Sequence, residues 1–283
     1  MTASVDNSRV WLITGASRGL GRALAEAVLE DGGRVLVTAR ETDTIAELPR
    51  SYPGRAATTA LDVTDPAAAD AAVDRAIDEF GRLDVVVNNA GYGLLGALEE
   101  LSDGELRSQF ETNLFGTLNV TRAVLPRMRG QRSGHIVQIS SLSGVAPNPG
   151  ESAYAGTKAA VEAISQSLAQ EAGHLGIKVT IVEPGPVRTE FAGPSLARAN
   201  PIEDYSESVG RVRELLGELD GNQPNDPALA ARAIIRAVQE DKPPLRLPLG
   251  EQAFAGIRQH LQELAEELDR TEPLAAATAL AGN

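Results

Sequence analysis

Short unbroken apolar runs alternate along this chain with longer Ala-rich stretches whose apolar positions recur every three or four residues. The runs are VWLIT at 10–14, RVLVTA at 34–39, AATTALDV at 56–63, LDVVVN at 83–88, HIVQIS at 135–140 and KVTIVEPG at 178–185. They lack the polar alternation of a half-solvated strand, so each predicts a strand covered on both faces. The stretches between them predict helices over 19–32, 42–48, 66–81, 103–128 and 152–175. Strand then helix, repeated, is the signature of a doubly wound parallel sheet, an α/β Rossmann-type fold of about seven strands in one domain covering 1–283.

After residue 185 the rhythm changes. Residues 190–226 carry Pro, Gly, Asn and many charges around one amphipathic piece, ESVGRVRELLGEL, and read either as a substrate lid region or as a surface insertion. DPALAARAIIRAVQE at 226–240 opens with an Asp cap and a Pro at the first helical position. PPLRLPLG gives a last short strand, EQAFAGIRQHLQELAEEL a last helix, and residues 272–283 a flexible tail.

Composition narrows the function. With 283 residues, 42% of them hydrophobic, the chain can build a sizeable core. It has no Cys, which excludes disulfides, a thiol nucleophile and thiolate metal ligation, and fits a reducing cytoplasm. The net charge of −13 argues against nucleic acid as a partner. No stretch approaches the roughly 20 apolar residues of a membrane span, and the start of the chain lacks the pattern of an export signal, so neither membrane nor export is expected. No metal site is expected.

Two segments carry candidate chemistry. TGASRGLG at 14–21 sets Gly15, Gly19 and Gly21, with Ser17, Arg18 and Leu20, between the first strand and first helix. There, glycines let the backbone approach a pyrophosphate at the positive end of a helix. The second strand ends at Ala39–Arg40 with no carboxylate for the ribose hydroxyls; Arg40 and Arg18 suit a 2′-phosphate, pointing to NADP(H) over NAD(H). A surface pair of either Arg with Glu41 is the simpler alternative. Asp62, followed by Val63, lies at the carboxyl edge of the third strand, where adenine could bind or a loop acid could cap a turn.

SAYAGTK at 152–158 places Tyr154 and Lys158 four apart on one helix face. A neighbouring ammonium lowers the pKa of a phenol and makes Tyr154 a usable acid and base. Ser141, at the carboxyl end of the fifth strand, can donate to a substrate oxygen.

TGASRGLG, NNAG at 88–91, NLFG at 113–116, the Ser pair followed by YAGTK, and PGPVRT at 184–189 occur in the order and approximate spacing of the short-chain dehydrogenase/reductase family, and the chain resembles that family over residues 8–190. The ending PPLRLPLG plus helix is similar, more weakly, to its hydroxysteroid-dehydrogenase-like branch. The resemblance implies a catalytic set of Asn113, Ser141, Tyr154 and Lys158, with Asn113 keeping a helix distortion and a water in the proton relay. It implies cofactor contacts from Ala90 and Gly91, which leave room for the adenine ribose, and from Pro184, Gly185, Val187 and Thr189, with Asn89 serving the backbone beside them. It also implies dimers or tetramers through the helices after the fourth and fifth strands.

The activity so implied is hydride transfer between NADP(H) and an uncharged hydrophobic carbonyl or alcohol. Substrate contacts are expected from Tyr92, Leu94, Leu95, Leu142, Val145, Pro147 and the segment Phe191 to Tyr205. A redox-sensing regulator that binds NADP(H) without turnover is the main alternative, although none of the four catalytic types is missing. A serine hydrolase would need His beside Ser141, and His135 opens the strand whose far end carries it.

Overall fold

A computed structural model describes residues 9–193 and 195–278. Strands β1 (Val10–Ile13), β2 (Arg34–Ala39), β3 (Ala56–Ala60) and β4 (Val85–Asn88) alternate with helices α1 (Gly19–Glu30), α2 (Glu47–Ser51) and α3 (Pro66–Phe80). Next come β5 (Gly93–Leu95), α4 (Asp103–Phe110), α5 (Gly116–Gln131), β6 (Gly134–Ile139), α6 (Ser152–Ala172) and β7 (Ile177–Pro184). The chain closes with β8 (Leu196–Arg198), α7 (Arg211–Leu219), α8 (Pro227–Gln239), β9 (Arg246–Leu249) and α9 (Glu251–Ala276).

Seven strands form one sheet in the order β3-β2-β1-β4-β6-β7-β9, parallel throughout, as the unbroken apolar runs require. Each face is covered. One core cluster joins Ile13, Val37 and Val87 to Leu24 and Val28 of α1 and Ile234 of α8. The other joins Leu12, Val86 and Ile136 to Val73 of α3, Val124 of α5 and Leu168 of α6. Helix ends follow the local sequence: Asp65 accepts from the Ala67 amide before Pro66, Gly81 closes α3 in the left-handed region, and Asp226 accepts from the Ala228 and Leu229 amides.

Three element boundaries differ from those read in the sequence. The helix expected over 103–128 is interrupted: α4 ends at Phe110 and a π-type turn spans Glu111–Phe115 before α5 begins. The Asn113 amide is pinned to the peptide of Tyr92, accepting from its N–H at 3.1 Å and donating to its C=O at 2.9 Å, which holds this turn in place. The third strand stops at Ala60, so Asp62 and Val63 lie in the turn beyond it. Within the tail expected to be flexible, α9 continues helical through Pro273 to Ala276, while 279–283 lie outside the described residues.

Residues 190–226 are not an open loop. β8 pairs in parallel with β5, and the buried Glu100 carboxylate binds this segment to the body, accepting from the Ile202 amide at 2.7 Å and pairing with Arg213 at 2.6 Å. Leu94 and Leu95 lie in β5 and are buried; Leu94 packs with Leu101, Ala153 and Ala199, which makes it core rather than substrate lining. Among the described residues no helix is long and apolar enough to cross a membrane.

Candidate active site

The sheet order reverses at β1 and β4, so the loops leaving these two strands lie side by side at the carboxyl edge, where doubly wound sheets open a crevice. The two amides of NNAG hold that edge together. Asn88 donates to Thr121 Oγ1 at 2.9 Å and Gln138 Oε1 at 2.8 Å, joining β4 to α5 and β6. Asn89 donates to the carbonyls of Thr14 and Gly15, each at 2.9 Å, and Thr14 Oγ1 accepts from the Asn89 and Ala90 amides at 3.0 Å. Both amides are therefore spent on scaffolding, and the glycine loop is held from below.

That loop fits a dinucleotide phosphate. Gly15 has φ +63°, and a Cβ there would lie 2.7 Å from the Ala90 backbone; a Cβ at Gly21 would lie 2.3 Å from the Asn89 amide nitrogen. Only glycine permits this close approach of loop, helix and β4. The N-cap of α1 is Arg18, whose side chain makes no capping hydrogen bond, and no acidic residue occupies the first turn. A helix start left uncapped by its own side chains is suited to an anion. Thr189 closes the far side, its Cβ lying 3.5 Å from where a Cβ of Gly19 would be. The PGPVRT segment is fastened by Asn225, which donates through Nδ2 to the Pro186 carbonyl at 2.8 Å and accepts from the Arg188 amide at 2.8 Å. Asn225 was not singled out from the sequence, because its partner lies 39 residues away.

Arg40 and Arg18 are exposed at this end, and among the described residues neither pairs with Glu41. Arg18 reaches Glu190 at 3.5 Å, an exposed contact of little energy. Asp62 caps its own turn, accepting from the Thr64 amide at 3.0 Å and its hydroxyl at 2.8 Å. Those bonds, helped by the charge of Arg40, hold its carboxyl below the usual range.

The four catalytic candidates converge. α6 presents Tyr154 and Lys158 on one face, and the Lys158 nitrogen lies 5.7 Å from the centre of the Tyr154 ring. Lys158 is only 6% exposed and donates to the Ile139 carbonyl at 2.7 Å, an anchor at the end of β6. Ser141 caps the 3-10 turn Leu142–Gly144, its Oγ accepting from the Ser143 amide at 3.1 Å, and it hydrogen-bonds Tyr154. Asn113 is fully buried and donates to Thr157 Oγ1 at 3.4 Å. Gly91 marks where these groups meet: a Cβ there would lie 3.0 Å from Asn113 Oδ1 and 3.8 Å from Lys158 Nζ. The Phe191 ring covers Tyr154 at 5.6 Å between centres.

The titration of Tyr154 departs from expectation. Burial pushes its pKa up, against the lowering effect of the Ser141 hydrogen bond and with the Glu151 charge adding to the rise. The same burial brings Lys158 down to about 8. With the Lys158 nitrogen anchored on Ile139, burial governs the phenol, which is held protonated. His135 is turned away from this site, its Nε2 2.9 Å from Thr180 Oγ1, and burial lowers its pKa to about 3, leaving it neutral.

Behind the site lies a cluster invisible in the sequence. Glu162, one turn beyond Lys158, and Glu183 in β7 are both buried and share the Arg246 guanidinium of β9, Glu162 at 2.5 Å. Burial raises the pKa of both carboxyls.

Fold and site together define a doubly wound nucleotide-binding oxidoreductase. A family model described as short chain dehydrogenase matches residues 9–200, and the chain belongs to that family. It is 41% identical over 273 residues to the oxidoreductase BOA17 of Botryotinia fuckeliana, covering 95% of this chain and all of that one. It superposes on a short-chain dehydrogenase from Streptomyces avermitilis with a TM-score of 0.91 at 44% identity, covering 96% of this chain and all of that one. ElxO with NADP bound is similar at a TM-score of 0.73 and 26% identity, over 88% of this chain and 99% of that one.

Proposed function

We propose that this short-chain dehydrogenase interconverts a hydrophobic ketone or aldehyde and its alcohol with NADP(H), using Tyr154 as proton donor and acceptor. The observation that carries this reading is the convergence of Tyr154, Ser141 and Lys158 beside a glycine loop that leads into a helix start left uncapped by its own side chains. The bound nicotinamide supplies or accepts the hydride.

This chain's own groups handle the oxygen. The Ser143 amide occupies an acceptor site of Ser141 Oγ, so the single Ser141 proton, turned toward the Tyr154 phenol, is the one that would be given to the oxygen. Burial keeps Tyr154 protonated, ready to give its proton to an oxygen gaining negative charge. The phenolate so formed is stabilised by the Lys158 ammonium on the same face. Gly15, Ser17, Gly19, Leu20 and Gly21 would face the pyrophosphate, Ala90 and Gly91 the adenosine side, and Pro184, Gly185, Val187 and Thr189 the nicotinamide end. Asp62 and Val63 would border adenine. Phe191, Leu142 and Val145 give an apolar entrance.

The choice of NADP(H) rests on Arg40 and Arg18, two exposed guanidiniums with no carboxylate ending β2; the complex of ElxO with NADP is in keeping with it. The expected assembly is a homodimer or homotetramer in the cytoplasm. The test is dinucleotide oxidation with a panel of bulky and small carbonyls. Arg18→Ala/Arg40→Ala is expected to raise the KM for NADPH at least tenfold and leave that for NADH within twofold. Equal effects on both would contradict the phosphate assignment, and binding of NADPH without oxidation by any carbonyl would favour the regulator.

A further inference from the structure

Helix α9 has 26 residues, yet only Ala253 and Ile257 are buried. Its first turns are rooted at the site: a Cβ at Gly256 would lie 3.1 Å from Leu142, next to Ser141, and Gly185 packs against Ala253. From there the helix leaves the body, residues 261–270 being exposed throughout. A solvated helix of this kind should be polar all round. Instead Phe254, Ile257, Leu261, Leu264, Leu268, Thr271 and Ala275 follow one another at alternating intervals of three and four. The large members beyond the root are open to solvent, from 43% exposed at Leu264 to 69% at Leu268. Three heptads with an apolar seam form the spacing by which one helix packs against another in a coiled coil.

We propose that this seam is an interface on which α9 of a second copy of the chain packs in antiparallel orientation. Charge decides the occupant and the direction. The flanks of the seam carry Arg258 and His260 near the root and Glu267 and Glu272 toward the tip, with Glu263, Glu266 and Asp269 on the outer face beside Arg270, which pairs with Glu267 at 3.1 Å. So acidic a face is repelled by an anionic lipid surface. A parallel pair would set Glu267 of one copy against Glu272 of the other on both flanks. An antiparallel pair instead seats Leu261 against Leu264 of the second copy, within the exposed stretch 261–270, and brings His260 beside Glu267. The basic root of each helix then meets the acidic tip of the other. Because the root of α9 lies on Leu142 and Gly185, such pairing also braces the wall of the active site.

The test is the mass of the full chain by sedimentation velocity at micromolar concentrations, beside Leu264→Glu/Leu268→Glu. Those side chains are exposed, and α5 and α6 are untouched. The native chain is expected to be at least dimeric, and the variant to have half its mass with an unchanged far-ultraviolet dichroism spectrum. A monomeric native chain, which would leave the seam to lipid or a foreign protein, overturns the proposal, as does an unaltered mass in the variant.

Orientation is read separately in the otherwise native chain, which has no Cys. Leu261→Cys should cross-link to its copy through a short bismaleimide. Ala275→Cys should not, because antiparallel pairing sets the two positions about 37 Å apart at 1.5 Å per residue. Cross-linking through Ala275→Cys, which a parallel pair would give along with that through Leu261→Cys, overturns the antiparallel arrangement.

Discussion

At the scale of single residues, the site is governed by what burial does to charge. Tyr154 lies in a desolvated wall and is held protonated, the form that the proposed reduction needs as its proton donor. Alcohol oxidation needs the phenolate, so its rate is expected to climb with pH across the neutral range while carbonyl reduction stays nearly level; parallel pH profiles in the two directions would contradict this. Glu162 and Glu183 show the same physics without a substrate. Burial raises both carboxyls, so the folded state holds a proton there more tightly than the unfolded chain. Their protonation therefore favours folding fully below pH 4.5, and that contribution is lost as pH rises through the raised values. Arg246 offsets the loss by pairing with both. Arg246→Met is expected to cost about 3 kcal/mol at pH 8 and clearly less at pH 5, measured by urea unfolding. A pH-independent cost would show that the two carboxyls do not titrate as described.

At the scale of elements, the sequence speaks clearly wherever a pattern is local. Six strands of the large sheet were legible as apolar runs, the seventh as the short piece in PPLRLPLG, and α3 and α8 because Asp-Pro starts them. The Tyr154/Lys158 face, the glycine loop and the paired Asn88 and Asn89 were legible as motifs. The π-turn at Asn113 was legible only through the family resemblance, since its cause is the peptide of Tyr92, 21 residues away. The anchoring by Asn225, the Glu162–Glu183–Arg246 cluster and the burial of Leu94 all come from segments that meet only in the folded chain. The packing of residues 190–226 is of this kind too. Burial alone would raise the Glu100 carboxyl, but hydrogen bonds from the Ile202 and Ala97 amides and from Arg213 outweigh it and lower its pKa. That tie is present above about pH 4.5 and lost as pH falls through the lowered value. Glu100→Ala should therefore expose 196–213 to protease at neutral pH, seen as cleavage at least tenfold faster than in the native chain. Equal cleavage rates would mean that β8 pairing alone holds the segment.

At the scale of the whole molecule, parallel strand order and the reversal between β1 and β4 bring the glycine loop, NNAG, the α6 face and PGPVRT to one edge, although they are spread over 176 residues from Thr14 to Thr189. The sheet is the jig; the proposed chemistry depends on a phenol that trades its proton with an oxygen at that edge. The measurement that addresses this most directly is turnover of Tyr154→Phe with NADPH and a carbonyl that the native chain reduces, with dinucleotide binding followed by fluorescence in the same samples. The account predicts a fall in kcat of about 100-fold or more, the scale of a lost general acid, with the Kd for NADPH within threefold of the native value. A kcat within a factor of two, with binding intact, would contradict it.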